Sequence, residues 1–111
     1  MRKLTIQEYE LICFLLVGNP KAKQIIEDLV KMPVEEMDDG GMGSLRFVRE
    51  NMPDRKFGKQ ISEITLLDTD KVPVSFAIFL DKDDHLFELN VFKADFSNLV
   101  KFPTPPYIPL K

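Results

Sequence analysis

The sequence predicts an α+β domain: an N-terminal helical hairpin packed on one face of a four- to five-stranded antiparallel meander sheet, closed by a proline-rich C-terminal strap. Three observations carry this. Thr5 and Glu8 form a capping-box pair ahead of an apolar run. The hydrophobic period changes from helical to alternating after Pro33. Four prolines crowd into Pro103–Pro109, where neither a helix nor a sheet ladder can continue.

The first helix is expected from Thr5 to about Val17. Its stretch Leu11 to Val17 is apolar on every side, so it should face both a sheet and a neighbouring helix, with Cys13 a buried small hydrophobe. Gly18-Asn19-Pro20 reads as a left-handed stop, a cap and a first-turn proline, joining two helices in a tight hairpin. Ala22, Ile25, Ile26, Leu29 and Val30 fall on one stripe of the second helix, opposite Lys23, Glu27 and Lys31. Candidate strands follow at about Val34–Met37, Ser44–Arg49, Gln60–Leu67, Val74–Leu80 and Leu86–Lys93. The connections are short apart from the loop from Glu50 to Lys59, which contains Pro53 and Gly58.

In the last two strands, Val74, Phe76, Ile78 and Leu80 share a face that pairs with Phe87, Leu89 and Val91 against the helices. Ser75, Ala77 and Phe79 then lie outside with Leu86, Glu88, Asn90 and Phe92. That row is too apolar to be simply solvated, and the strap or a second copy of the chain is expected to cover it. The organisation is one domain over residues 1–102 followed by a strap over 103–111, held by Phe102, Tyr107, Ile108 and Leu110.

Composition excludes several functions. With 44% hydrophobic and 30% charged residues, the 111-residue chain is globular rather than disordered. A net charge of −3 gives no basic field for nucleic acid. One cysteine and one histidine argue against a disulfide, a zinc site or any cofactor. No segment reads as a membrane span or secretion signal, so the expected location is cytoplasmic.

The densest candidate site is Asp38-Asp39-Gly40-Gly41-Met42-Gly43-Ser44, with three glycines in four positions. Such a run can turn backbone amides toward a ligand, but without a lysine or a following helix it reads first as a hairpin turn. Glu88 and Asn90 on the outer row are further binding candidates. The acidic group Asp81, Asp83 and Asp84 lacks the glycine and closing glutamate of a calcium loop and reads as a solvated turn, with His85 at the surface. Candidate acid–base carboxylates are Glu63, Glu88 and Asp39, with no nucleophile motif beside them.

Asp-Gly-Gly-Met-Gly-Ser at 39–44 and Phe-Glu-Leu-Asn-Val-Phe-Lys-Ala-Asp-Phe-Ser at 87–97 resemble a group of small bacterial domains of unknown function, over most of the chain. The resemblance implies a bacterial origin and a single α+β domain, and brings no activity with it. Asn90 stands where that group is expected to have Asp. Small acidic α+β proteins of this type also resemble the immunity proteins of bacterial toxin systems. The leading expectation is therefore a non-catalytic protein-binding domain, with an immunity-type protein as its specific form. The alternative is a small enzyme or ligand-binding domain built on the loop 38–44. A toxin-like protein, or self-association through the outer face, would supply the partner.

Overall fold

A computed structural model describes residues 1–49 and 55–110. Helices α1 (Ile6–Leu15) and α2 (Ala22–Leu29) precede strands β1 (Val34–Glu36), β2 (Leu45–Phe47), β3 (Phe57–Leu67), β4 (Pro73–Asp81) and β5 (Leu86–Lys93). The five strands form one antiparallel sheet in the order β1-β2-β5-β4-β3. β3, β4 and β5 are consecutive neighbours, as in a meander. The run then breaks, because the hairpin of β1 and β2 adds to the β5 edge, pairing Leu45 with Leu89 and Arg46 with Glu88. β2 and β3, consecutive in the chain, are therefore separated in the sheet by β5 and β4. Pro53 and the other residues of 50–54 lie outside the described residues, and Gly58 falls within β3 rather than in the preceding loop.

The capping box at α1 is complete: the Glu8 amide donates to Thr5 Oγ1 (3.1 Å) and the Thr5 amide to Glu8 Oε1 (2.9 Å). Arg2 grips the same carboxylate with two bonds of 2.8 Å, so the capping side chain is buried without being unpaired. Burial opposes the Glu8 charge, but Arg2 and the Thr5 amide outweigh it and hold the carboxyl below its usual range. Leu11, Ile12, Leu15 and Leu16 enter the core, whereas Val17 is exposed and Cys13 is half-buried rather than buried. Gly18 takes φ +86°, the left-handed stop expected of it. α2 starts later than expected, with Lys21 at its N-cap and no side-chain cap. Asn19 and Pro20 lie in the turn before it, where the Asn19 side chain accepts from the Lys21 amide (2.8 Å). Ile25 and Leu29 are buried and Val30 is exposed, because α2 ends at Leu29 and the stripe ends with it.

Both helices contribute to one core with the inner row Val74, Phe76, Ile78 and Leu80. One part of the expected register is corrected. Phe79 pairs with Glu88 and Leu80 with Leu86, so Phe87 is an extra residue in a bulge. A bulge reverses the facing of the residues beyond it. Leu86 accordingly joins the core, and Phe87 is buried under the guanidinium groups of Arg46 (5.0 Å to the ring centroid) and Arg55 (5.3 Å).

The strap also differs from expectation. It lies on the helix side, with Phe102 edge-on to Phe76 (6.0 Å), Tyr107 against Phe14 (4.8 Å), and the Leu110 amide donating to the Thr65 carbonyl (2.8 Å). Residues 98–101 are anchored beside the β3–β4 turn, which directs the following chain toward α1 and away from the outer row. Phe102 and Tyr107 are the anchors, while Ile108 is 77% exposed and holds nothing.

Candidate functional site

The glycine loop joins β1 to β2 and rests on the chain that follows β5. Gly40, Gly41 and Gly43 have φ of +75°, +82° and +102°, all in the region that favours glycine. A Cβ on Gly41 would also meet the Asn98 side chain, with its Oδ1 2.8 Å away. The loop's amides turn inward. Met42 and Ser44 donate to the Asp39 carboxylate at 3.1 and 2.9 Å, so a residue of the loop itself takes the place an anion would fill. Burial works against that charge, but bonds from Ser44, Met42 and Gly43 prevail and hold Asp39 below the usual carboxylate range. Ser44 is buried, its hydroxyl donating to the Val91 carbonyl (3.1 Å) and accepting from the Val91 amide (2.8 Å), which extends the pairing of β2 with β5. Asp38 is exposed.

Glu88 and Asn90 lie away from this carboxylate, on the outer face of the sheet. Glu88 pairs across the strands with Arg46 (2.5 Å), and Asn90 sits opposite Ala77. Among the described residues no helix and no part of the strap covers this face. Phe57 and Phe79 meet at a tilt at one end (5.2 Å) and Phe92 and Phe96 meet edge-on at the other (5.2 Å). Phe57, Phe92 and Phe96 are 54%, 45% and 69% exposed. Phe96 reaches Phe92 through a left-handed φ of +63°, in a turn where the Asp95 carboxylate accepts from the Ser97 amide and hydroxyl. The Thr65 and Ser75 hydroxyls lie 3.1 Å apart in the cross-strand row of Phe92. Of the candidate carboxylates, Glu63 stands exposed on β3 opposite Ala77, Glu88 is tied to Arg46, and Asp39 is held within its loop. No acid–base pair is assembled from them.

Two buried ion clusters escaped the sequence reading. Lys93 continues the inward alternation of Leu89 and Val91 and is fully buried opposite Val74. Its ammonium donates to Asp68 (2.9 Å), Asp70 (2.6 Å) and the Asn98 carbonyl (3.0 Å). Asp68 in turn accepts from the Val100 and Lys101 amides. Burial penalises its charge, but Lys93 and the amides of Val100, Thr69 and Lys101 outweigh it and lower the carboxyl to about 2. For Lys93 burial is likewise the largest opposing influence, and the two aspartates raise its pKa against it. A lysine at an inward-facing strand position was the available signal.

The second cluster corrects the reading of the β4–β5 turn. Asp81 is buried, not solvated: it pairs with Arg55 (3.0 Å) and accepts from the Asp83 and His85 amides. Arg55 also donates to the Leu86 carbonyl (2.6 Å) and the Phe47 carbonyl, tying three strands. His85 is only partly exposed, with its Nδ1 buried.

Among the described residues no three His, Cys, Asp or Glu side chains are grouped to hold a metal ion, and no helix is long and apolar enough to cross a membrane. The fold and its surfaces define a small α+β domain with helices on one face of an open antiparallel sheet. The chain belongs to the family described as Domain of unknown function (DUF6984), whose model matches residues 1–103. No curated protein and no solved structure matches it.

Proposed function

We propose that this chain is a non-catalytic binding domain that engages another protein through the outer face of its sheet, as an immunity-type protein of a bacterial toxin system would. One observation carries the reading: two phenylalanine pairs lie uncovered at either end of that face. Aromatic side chains are enriched at the centres of protein interfaces, because they bury a large area while losing few rotamers. Exposed Glu63 and the Arg46–Glu88 pair provide a polar rim, and the net charge of −3 favours a basic partner. The glycine loop supports the same reading, since its amides and its carboxylate already satisfy one another.

The test is capture of the partner from the native host, repeated with Phe79→Lys and Phe92→Lys. Each variant is expected to keep the wild-type melting temperature within a few degrees and to weaken the complex by at least ~30-fold, the effect of losing one interface hot spot. Retention of the partner by both folded variants would refute the reading.

A further inference from the structure

The C-terminal strap sits on its surface in a way that separates two parts. Residues 98–101 are fixed by the buried Lys93–Asp68 cluster, and Phe102 packs edge-on to the core residue Phe76. Beyond Pro103 the attachment is slight. Thr104, Pro105 and Pro106 are exposed, Tyr107 leans on Phe14, and a single amide, that of Leu110, reaches the β3 backbone at Thr65.

β3 is the outermost strand of the sheet, so its outer backbone edge is a template on which an extended segment can hydrogen-bond. The strap uses little of it. Clefts of about 470 and 540 Å³ remain beside it, one toward Leu66 and Leu67, the other between Phe14 and Ile64. Phe14 is still 39% exposed under its tyrosine, and the buried Tyr107 hydroxyl finds no hydrogen-bond partner among the described residues. The family model ends at residue 103, where the well-held part ends.

We propose that the cleft between α1 and the free edge of β3 is a binding site for a proline-rich peptide carrying an aromatic residue, and that residues 104–110 occupy it intramolecularly as an inhibitory segment. The chemistry of the occupant is that of the segment already seated there: a tyrosine for Phe14, a free amide for the Thr65 carbonyl, and prolines that restrict the backbone and so lower the entropy lost on binding. A tethered segment competes at an effective concentration of the order of millimolar, so a partner peptide gains access when the strap is weakened or outcompeted. The cleft meets the outer face at Glu63 and Thr65 on the β3 edge, but it is defined by Phe14, Tyr107 and the strap and does not depend on the function proposed for that face.

The experiment uses the full-length chain and a fluorescent synthetic peptide, Thr-Pro-Pro-Tyr-Ile-Pro-Leu-Lys, which is the sequence of residues 104–111. Full-length Tyr107→Ser should bind it at least tenfold more tightly than the wild type, as read by fluorescence anisotropy. Adding Phe14→Ala to that variant should abolish binding with circular dichroism unchanged, and a peptide with serine in place of tyrosine should not bind. Equal affinity for wild type and Tyr107→Ser, or binding that survives Phe14→Ala, overturns the proposal. A wild-type dimer that the peptide dissociates also overturns it, by placing the strap of a second copy in the cleft. Partner capture through Phe79 and Phe92 is unaffected by Tyr107→Ser, so failure here leaves the outer-face reading intact.

Discussion

Lys93 ties the chain after β5 to the turn between β3 and β4. A buried ammonium is tolerated only when paired and hydrogen-bonded, and here two carboxylates and a carbonyl surround it. Asp68, also buried, is the stronger partner, because it additionally holds the Val100 and Lys101 amides, whereas Asp70 is more than a third exposed. Asp68→Asn is therefore expected to lower the urea midpoint clearly more than Asp70→Asn. The pH dependence follows from the same site. Because the folded carboxyl is at about 2 against an ordinary 3.8, its stabilisation is complete above pH 3.8 and is lost as pH falls toward 2. Glu8, Asp39 and Asp81 are lowered as well and add to the loss in the same direction. Unfolding followed from pH 5 to 2 should show this decline, and in Asp68→Asn the decline should be shallower. An identical slope would mean that Asp68 is not ion-paired in solution.

At the scale of elements, the loop between β1 and β2 shows how one carboxylate can organise a turn. Asp39→Ala removes acceptors from the Met42 and Ser44 amides, so its cost should be about 1–3 kcal/mol rather than that of one local hydrogen bond. Gly40→Ala meets open space and only a positive φ, which costs about 1–2 kcal/mol. Gly41→Ala adds the encounter with Asn98 and should be the more damaging of the two, as thermal denaturation would register. An Asp39→Ala protein of wild-type stability that no longer bound its partner would instead favour a ligand role for the loop.

At the scale of the whole molecule, the sheet has one face committed to the helices and strap and one left open. The anchors of the strap are unequal. Phe102 packs on Phe76, and truncating a packed phenylalanine costs up to about 3–5 kcal/mol, less where it is partly exposed. Ile108 is 77% exposed, so Ile108→Ala should change stability by no more than about 0.5 kcal/mol. Chemical denaturation of the two variants side by side checks this ranking. Equal losses would mean that the strap is held along its whole length.

What the sequence determined by itself is what neighbours within a few residues decide. The capping box at Thr5 and Glu8, the stop at Gly18, the bounds of β5 and the three left-handed glycines all follow from local backbone sterics and short-range hydrogen bonds. That Ser75, Phe79, Glu88, Asn90 and Phe92 share the outer face was also legible, because alternation assigns faces without knowledge of what packs on them. Leu86, however, left that row for the core, and the strap expected to cover it lies elsewhere. Only the tertiary structure decided the rest. It placed β2 beside β5 rather than β3, turned Phe87 outward at a bulge, brought Asp68 and Asp81 to cations 25 and 26 residues away, and laid the strap on the helix side. Each of these is settled by competition among long-range pairings of similar local propensity, and burial and charge satisfaction select among them only once the chain has closed on itself.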